Sequence, residues 1–300
     1  MHIPVLLQEV IESLGPKHGD NFIDATFGDG GHAEEILKKI RPGGRLLGID
    51  WDKNQIAKAE QKFCDDIRSK SLILVNDNYK NLDAIIRYNH FYAPRGILFD
   101  LGFSRAHIEE FQKGFSFRKD EPLIMRYGPE EEGREGELTA ERILNTWTQA
   151  AIEEILREYG EERFSKKISE RVIERRKKGA IRTTYDLVGI VESSLPRKYR
   201  RGRIHPATRT FQALRIAVNR EFENIVRGVD AGISSLAPEG RLAVISFHSG
   251  EDRIVKNIFR EKAREGSILL GAKKPIKPKH DEILKNPASR SALLRFCTKT

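Results

Sequence analysis

Phe22-Ile23-Asp24-Ala25-Thr26-Phe27-Gly28-Asp29-Gly30-Gly31-His32 is the stretch that decides the fold. An apolar run from Asn21 to Ala25 enters a glycine turn, and a helical pattern follows from His32 to Ile40. Arg45-Leu46-Leu47-Gly48-Ile49-Asp50 then makes a second apolar run closed by a carboxylate. Strand, glycine turn, helix and strand in that order read as a nucleotide-cofactor pocket. Small residues admit a ligand to the backbone, and an acid about 20 residues further on can hold ribose hydroxyls. The bland alternative is a glycine turn that only caps a strand.

The acids in the turn narrow the choice of ligand. Gly28, Gly30 and Ala33 fit the G-x-G-x-x-G/A spacing of dinucleotide sites. A pyrophosphate there would face Asp24 and Asp29, and like charges in a partly dry site are costly. S-adenosylmethionine has no phosphate; its sulfonium and ammonium would be welcomed by Asp24, and its ribose by Asp50.

Beyond Asp50 the alternation continues as helix (Lys53 to Phe63), strand (Ser71 to Asn76), helix (Leu82 to Arg87) and strand (Gly96 to Leu101). This is the pattern of an α/β fold with a parallel sheet covered on both faces, whose ligands bind beyond the carboxyl ends of the strands. Asp24, Asp50, Asp77 and Asp100 all fall at or just past such ends. Alternation then stops for about a hundred residues. Apolar stripes at helical spacing replace it: Ile152, Ile155, Leu156 and Tyr159; Phe164, Ile168 and Val172; Leu187, Val188, Val191 and Leu195. Residues 106–204 therefore read as an all-helical insertion between a first sheet segment, 1–105, and a second, 205–300. A helix from Pro206 to Val226 is expected to return the chain to the sheet. Arg241 to Ser246 supplies a fifth strand, and Ser267 to Gly271 with Ala292 to Thr298 an antiparallel pair at the sheet edge, for seven mostly parallel strands in all.

With 53 Lys and Arg against 44 Asp and Glu, the net charge of +9 suits a polyanionic partner, although solvated surface could account for much of it. Two basic clusters stand out, Arg175 to Lys178 and Arg197-Lys198-Tyr199-Arg200-Arg201-Gly202-Arg203. The second interleaves a ring with five cations, as a loop that tracks phosphates and stacks on a base would. Lys273 and Lys274 open a third basic segment, through Lys279, broken by two prolines. No apolar run approaches the ~18 residues of a membrane helix and Met1-His2-Ile3-Pro4-Val5 lacks a basic region before an apolar stretch, so a soluble, cytoplasmic protein is expected. The two cysteines, Cys64 and Cys297, offer neither a disulfide framework nor a metal pair, and the histidines lack ligand spacing; no metal is expected.

Asp100-Leu101-Gly102-Phe103 follows the fourth strand and loosely resembles the arrangement by which amino-methyltransferases hold a base amine. An exocyclic amine is a poor nucleophile, and acceptors such as the Asp100 carboxylate would draw on its protons while Phe103 stacks on the base. A strand cap and a core phenylalanine would look the same. His248, after the fifth strand, could bind substrate or accept a proton, or could be a structural histidine.

His2-Ile3-Pro4-Val5-Leu6-Leu7, the Asp24 to His32 turn, Gly114-Phe115-Ser116-Phe117, His205 to Arg215, Ile245 to Ser249 and Asn286-Pro287-Ala288-Ser289-Arg290-Ser291 together resemble the bacterial small-subunit ribosomal RNA cytosine-N4 methyltransferases. The motifs are long, in order and spread over nearly the whole chain. The resemblance implies a Rossmann-like class I methyltransferase with a helical substrate domain inside it, S-adenosylmethionine as donor, and 16S rRNA in the small (30S) subunit as partner, with cytosine 1402 as the target. It places cofactor contacts on Gly30, Gly31, His32, Asp50, Tyr79, Asp100 and His107, beside Asp24 and Gly28 from the turn itself. Arg209, in the motif from His205 to Arg215, joins Arg197 to Arg203, Lys273 and Lys274 as an RNA contact. Departures from the family include His107, which stands for a glutamine, and Ile124, which stands for an aspartate in Pro122-Leu123-Ile124-Met125-Arg126. Two rival readings stay open, an NAD-linked oxidoreductase and a non-catalytic RNA-binding assembly factor on the same fold.

Overall fold

The computed structural model describes residues 3–101, 112–127, 138–199 and 205–300. Seven strands, β1 (Phe22–Asp24), β2 (Leu46–Asp50), β3 (Leu72–Asn76), β4 (Gly96–Asp100), β5 (Arg241–Ser246), β6 (Ile268–Leu270) and β7 (Leu293–Lys299), form one sheet in the order β3-β2-β1-β4-β5-β7-β6. β1 to β5 are parallel, while β7 runs antiparallel between β5 and β6. Strand order reverses at β1, which has β2 on one side and β4 on the other, so the crevice above β1 is where such a sheet accepts a ligand.

Period-two alternation assigns the faces. Ile23, Leu47, Ile49, Ile97, Phe99, Leu242 and Val244 pack with Ile85, Ile225, Val229, Val255 and Phe259 on one side; Phe22, Leu46, Leu98, Ala243 and Ile245 pack with Val10, Leu14, Ile36, Leu37 and Ile40 on the other. Cys297 on β7 is fully buried in the first of these cores, and burial pushes its thiol up to about 12; Cys64 is exposed. The helix Leu7–Leu14, which contributes Val10 and Leu14, was not anticipated from the sequence. Cys64 opens a short helix of its own, Cys64–Arg68.

The chain divides into two compact units: residues 1–102 with 222–300, which carry the sheet, and residues 103–221. The second unit is helical. Its helices Ala140–Thr146, Gln149–Glu158 and Thr184–Ser194 start at Thr139, Thr148 and Thr183, whose hydroxyls accept from the third backbone N–H beyond. The anticipated apolar stripes meet in one core with Ile152, Leu156, Ile168, Val172, Leu187 and Val191.

The long helix expected from Pro206 to Val226 is two. Thr208–Asn219 ends at Arg220, which takes a left-handed φ of 52°, and Glu221–Ser235 follows. Phe211, Leu214 and Val218 belong to the helical core, whereas Ile225 and Val229 pack under the sheet. The crossing between units thus lies at Glu221 and Phe222, not at Ile204 and His205. Asn219 explains the stop. It is buried, donates to the Met125 and Arg215 carbonyls at 2.8 Å each and accepts from the Tyr127 N–H at 2.9 Å, fixing the end of this helix to the 122–127 segment.

Among the described residues no helix is long and apolar enough to cross a membrane. Gly96 leaves room for Phe22, whose ring a Cβ there would overlap. Gly96→Ala is expected to destabilise the protein by about 1–3 kcal/mol, the usual cost of overpacking, read as a lowered thermal midpoint.

Candidate active site

Asp24 ends β1 with a side chain only 1% exposed. Burial, opposed by a hydrogen bond from the Thr26 N–H (3.2 Å) and reinforced by the charges of Asp100 and Asp50, pushes its carboxyl up to about 7. Thr26 also turns to the neighbouring strand, where its Oγ1 accepts from the Asp100 N–H at 2.6 Å. One threonine therefore ties the ends of β1 and β4 together and keeps their carboxylates near each other. Its place in Asp-x-Thr gave no hint of this second contact.

Asp50 closes β2. Its Oδ2 accepts from the Gly28 N–H at 2.7 Å and its Oδ1 from the Asp52 N–H at 2.8 Å, so the carboxylate holds the glycine turn in place. Asn76, at the end of β3, donates to the Asp50 and Trp51 carbonyls at 2.9 and 3.1 Å and steadies the same corner. Asp77 is different from the other three strand-end acids. Its Oδ1 is taken up by the Asn78 N–H and the Asn81 amide, at 2.6 and 2.8 Å, which makes it a local turn residue.

The glycines serve separate purposes. Gly28 has φ 51° and a Cβ there would meet only the Thr26 carbonyl at 4.0 Å, so its missing side chain opens space. Gly30 caps the helix Gly31–Ile40 with φ 72°, and a Cβ would meet the Phe63 ring at 2.6 Å. At Gly31 a Cβ would overlap Pro4. His32 is 7% exposed; its Nε2 lies 3.0 Å from the Val5 carbonyl oxygen, and its Nδ1 3.7 Å from Asp100 Oδ2. Tyr79 follows β3 and meets Phe99 edge-on, centroids 5.6 Å apart, with Gly228 beside it.

His248 takes a defined place. It is the N-cap of the helix Ser249–Arg264: its side chain accepts from the Glu251 N–H, while the Glu251 carboxylate accepts from the Phe247 and His248 N–H groups. Its Nε2 is 3.0 Å from Glu251 Oε1, out of line for a hydrogen bond. Of the two roles open in the sequence, the structural one is thus occupied. Phe103 and His107 lie outside the described residues, as do Arg200, Arg201 and Arg203.

In the helical unit Arg197 and Lys198 are exposed. The Tyr199 ring is 38% exposed, with Phe164 against it at 5.1 Å between centroids and Lys198 Nζ over it at 5.2 Å. Arg209 donates to the Glu161 carbonyl at 3.1 Å. In the sheet unit Lys273 and Lys274 are exposed on the segment between β6 and β7.

A sheet ordered 3-2-1-4-5-7-6 with an antiparallel β7, and carboxylates crowding a glycine turn at the switch point, define a Rossmann-like methyltransferase. The sequence of residues 1–300 matches the MraW methylase family, and the chain belongs to that family of S-adenosylmethionine-dependent enzymes. It is 44% identical over 298 residues to the ribosomal RNA small subunit methyltransferase H of Persephonella marina, with 99% of each chain covered. The enzyme of the same name from Acetivibrio thermocellus is 41% identical over 313 residues, 99% of this chain and 98% of that one. Among solved structures, an rRNA methylase from Streptococcus thermophilus aligns at a TM-score of 0.44 and 11% identity, over 98% of this chain and 93% of that one.

The donor set fits that cofactor. Asp24 sits in a dry, crowded acidic site, where a phosphate would meet repulsion and a sulfonium or ammonium would lower the energy of the ionised carboxyl. Because the folded-state pKa is raised from 3.8 to about 7, the group costs the apo fold nothing below pH 4. Its stability contribution falls as pH rises between those values, by about 4 kcal/mol in all. Asp24→Asn should therefore melt near wild type at pH 4–5 and above it at pH 8 without cofactor, while binding S-adenosylmethionine more weakly at pH 8. Melting curves at the two pH values and calorimetric titration check both signs.

Proposed function

We propose that this protein transfers the methyl group of S-adenosylmethionine to the N4 amine of a cytosine in small-subunit ribosomal RNA, cytosine 1402 of the decoding region. The observation that carries the reading is the buried Asp24 carboxyl, held beside Asp50 and Asp100 at the head of the sheet. The names of the relatives support the RNA substrate, and the family resemblance supports the amine. When bound, the cofactor supplies a methyl carbon already activated by a positive sulfur.

The chain's own part is alignment. Asp50, whose carboxylate is fixed at the end of β2 by the Gly28 and Asp52 N–H groups, takes the ribose hydroxyls; Asp24 offers negative charge to the cationic end; the turn from Gly28 to His32 borders the methionine portion. Asp100, whose N–H is already anchored on Thr26, accepts from the adenine or from the target amine. With the cofactor held by Asp50, Asp24 and the glycine turn, these residues would set the N4 amine in line with the methyl carbon, and the surplus N4 proton would leave to solvent after transfer. Because the donor is a strong electrophile, positioning and exclusion of water carry most of the barrier reduction, and no general base is required. We assign the residues from 106 to 204, with the basic cluster Arg197 to Arg203, and Arg209 to RNA recognition, with Lys273 and Lys274 adding phosphate contacts from the sheet unit.

Small subunits lacking the modification, incubated with protein and labelled donor and then digested to nucleosides, should yield N4-methylcytidine by mass spectrometry. RNA binding without label would support an assembly factor instead, and binding of NAD in place of the donor an oxidoreductase. Reversing both charges, Lys273→Glu with Lys274→Glu, should weaken RNA binding by about tenfold and flatten its salt dependence by one to two units of slope. Cofactor affinity should be unchanged, as filter binding and calorimetry would report.

A further inference from the structure

Two motifs at opposite ends of the chain, Ile3-Pro4-Val5-Leu6 and Asn286-Pro287-Ala288-Ser289, take no role in the methyl transfer proposed for this protein, and they meet. The Asn286 side chain donates to the Ile3 carbonyl at 3.0 Å across 283 residues of sequence, and the Leu6 N–H donates to Glu282 Oε1 at 2.8 Å. Asn286 is itself fixed, because its carbonyl accepts from the buried Ser289 hydroxyl at 2.8 Å and its N–H donates to the Glu282 carbonyl at 2.7 Å. Paired hydrogen bonds between Ile276 and Leu294 tie the same segment to β7. Leu6 is fully buried and takes a left-handed φ of 53°, a conformation that a branched apolar residue holds only when its surroundings impose it.

The clasped segment lies on the glycine turn. Pro4 occupies the space a Cβ at Gly31 would need, and the Val5 carbonyl receives His32 Nε2 at 3.0 Å. A carbonyl can only accept, so this contact fixes the proton on Nε2 and the plane of the ring whose Nδ1 stands 3.7 Å from Asp100 Oδ2. Gly31 is thus small because of Pro4, and His32 is oriented by Val5.

We propose that residues 3–6 are the backing of the glycine turn that forms the cofactor site, clamped by Glu282 and Asn286, and that cofactor affinity depends on this clasp through Pro4 on Gly31 and Val5 on His32. The proposal rests on the assignment of S-adenosylmethionine to the turn. The residues of the clasp act by positioning; none of them need touch the ligand.

A double-mutant cycle tests it, with S-adenosylhomocysteine as the calorimetric probe. Gly31→Ala should weaken binding by about tenfold, and Pro4→Ala, harmful by itself only a few-fold, should restore most of the loss when the two are combined. Asn286→Ala should weaken binding about fivefold at a temperature where melting shows it fully folded, without changing RNA affinity. Ligand should also slow hydrogen exchange at the Val5 and Leu6 amides of the wild-type protein, a response that needs no variant to fold. The inference is overturned if Gly31→Ala binds equally poorly with and without Pro4, since Pro4 would then transmit nothing to the turn. Wild-type affinity in Asn286→Ala, or exchange at Val5 and Leu6 indifferent to ligand, would overturn it as well. A wild-type protein that ignores the probe altogether would fail the cofactor assignment and carry the inference down with it.

Discussion

A carboxyl group that is almost fully buried, with two more carboxylates close by, has to be answered either by a proton or by a positive ligand. Asp24 is that group, and much of the site can be understood as the means of holding it there. Three adjoining parallel strands bring Asp24, Asp50 and Asp100 to one end of the sheet, because parallel strands all place their carboxyl ends on the same edge. Thr26 and Gly28 then absorb what each acid can spare: a hydroxyl for the Asp100 backbone, a backbone N–H for Asp50. The repulsion that remains favours a cation over a phosphate and makes the empty site costly above neutral pH.

The sheet was legible because its strands are short continuous apolar runs that end in turn residues or carboxylates, as strands buried on both faces do, and each core face collects every second residue of β1, β2, β4 and β5. The antiparallel pair at the end was legible for the same reason. The break at Arg220 was not. Neither glycine nor proline marks it, and the apolar spacing of Phe211, Leu214, Val218, Phe222 and Ile225 runs straight through; only the side-chain bonds of Asn219, to residues more than ninety positions earlier, show why the helix stops.

The site divides along a similar line. Asp24, Gly28, Gly30, Asp50 and Asp100 stand out in the sequence by residue type and spacing, and the strand ends and glycine turn they were expected on are where they lie. The roles of Thr26 and Gly31 were hidden, because each depends on a partner far away in sequence. His248 showed two faces in the sequence, and the capping bond to Glu251 is invisible without the turn that brings their atoms together. Tyr199 was expected as a stacking platform, yet Phe164 meets its ring edge-on and Lys198 lies over it, contacts that pair spacing alone does not reveal.

The two cysteines differ in a way that gives the molecule a practical handle. Cys297 is sealed in the core with its thiol driven out of the reactive range, whereas Cys64 faces water. An alkylating dye would attach at one address, and that address adjoins Phe63, whose ring packs on Phe27 and occupies the space a side chain at Gly30 would fill. Nature has left a mooring post one residue from the floor of the glycine turn, where a fluorophore's emission would register the arrival of the methyl donor.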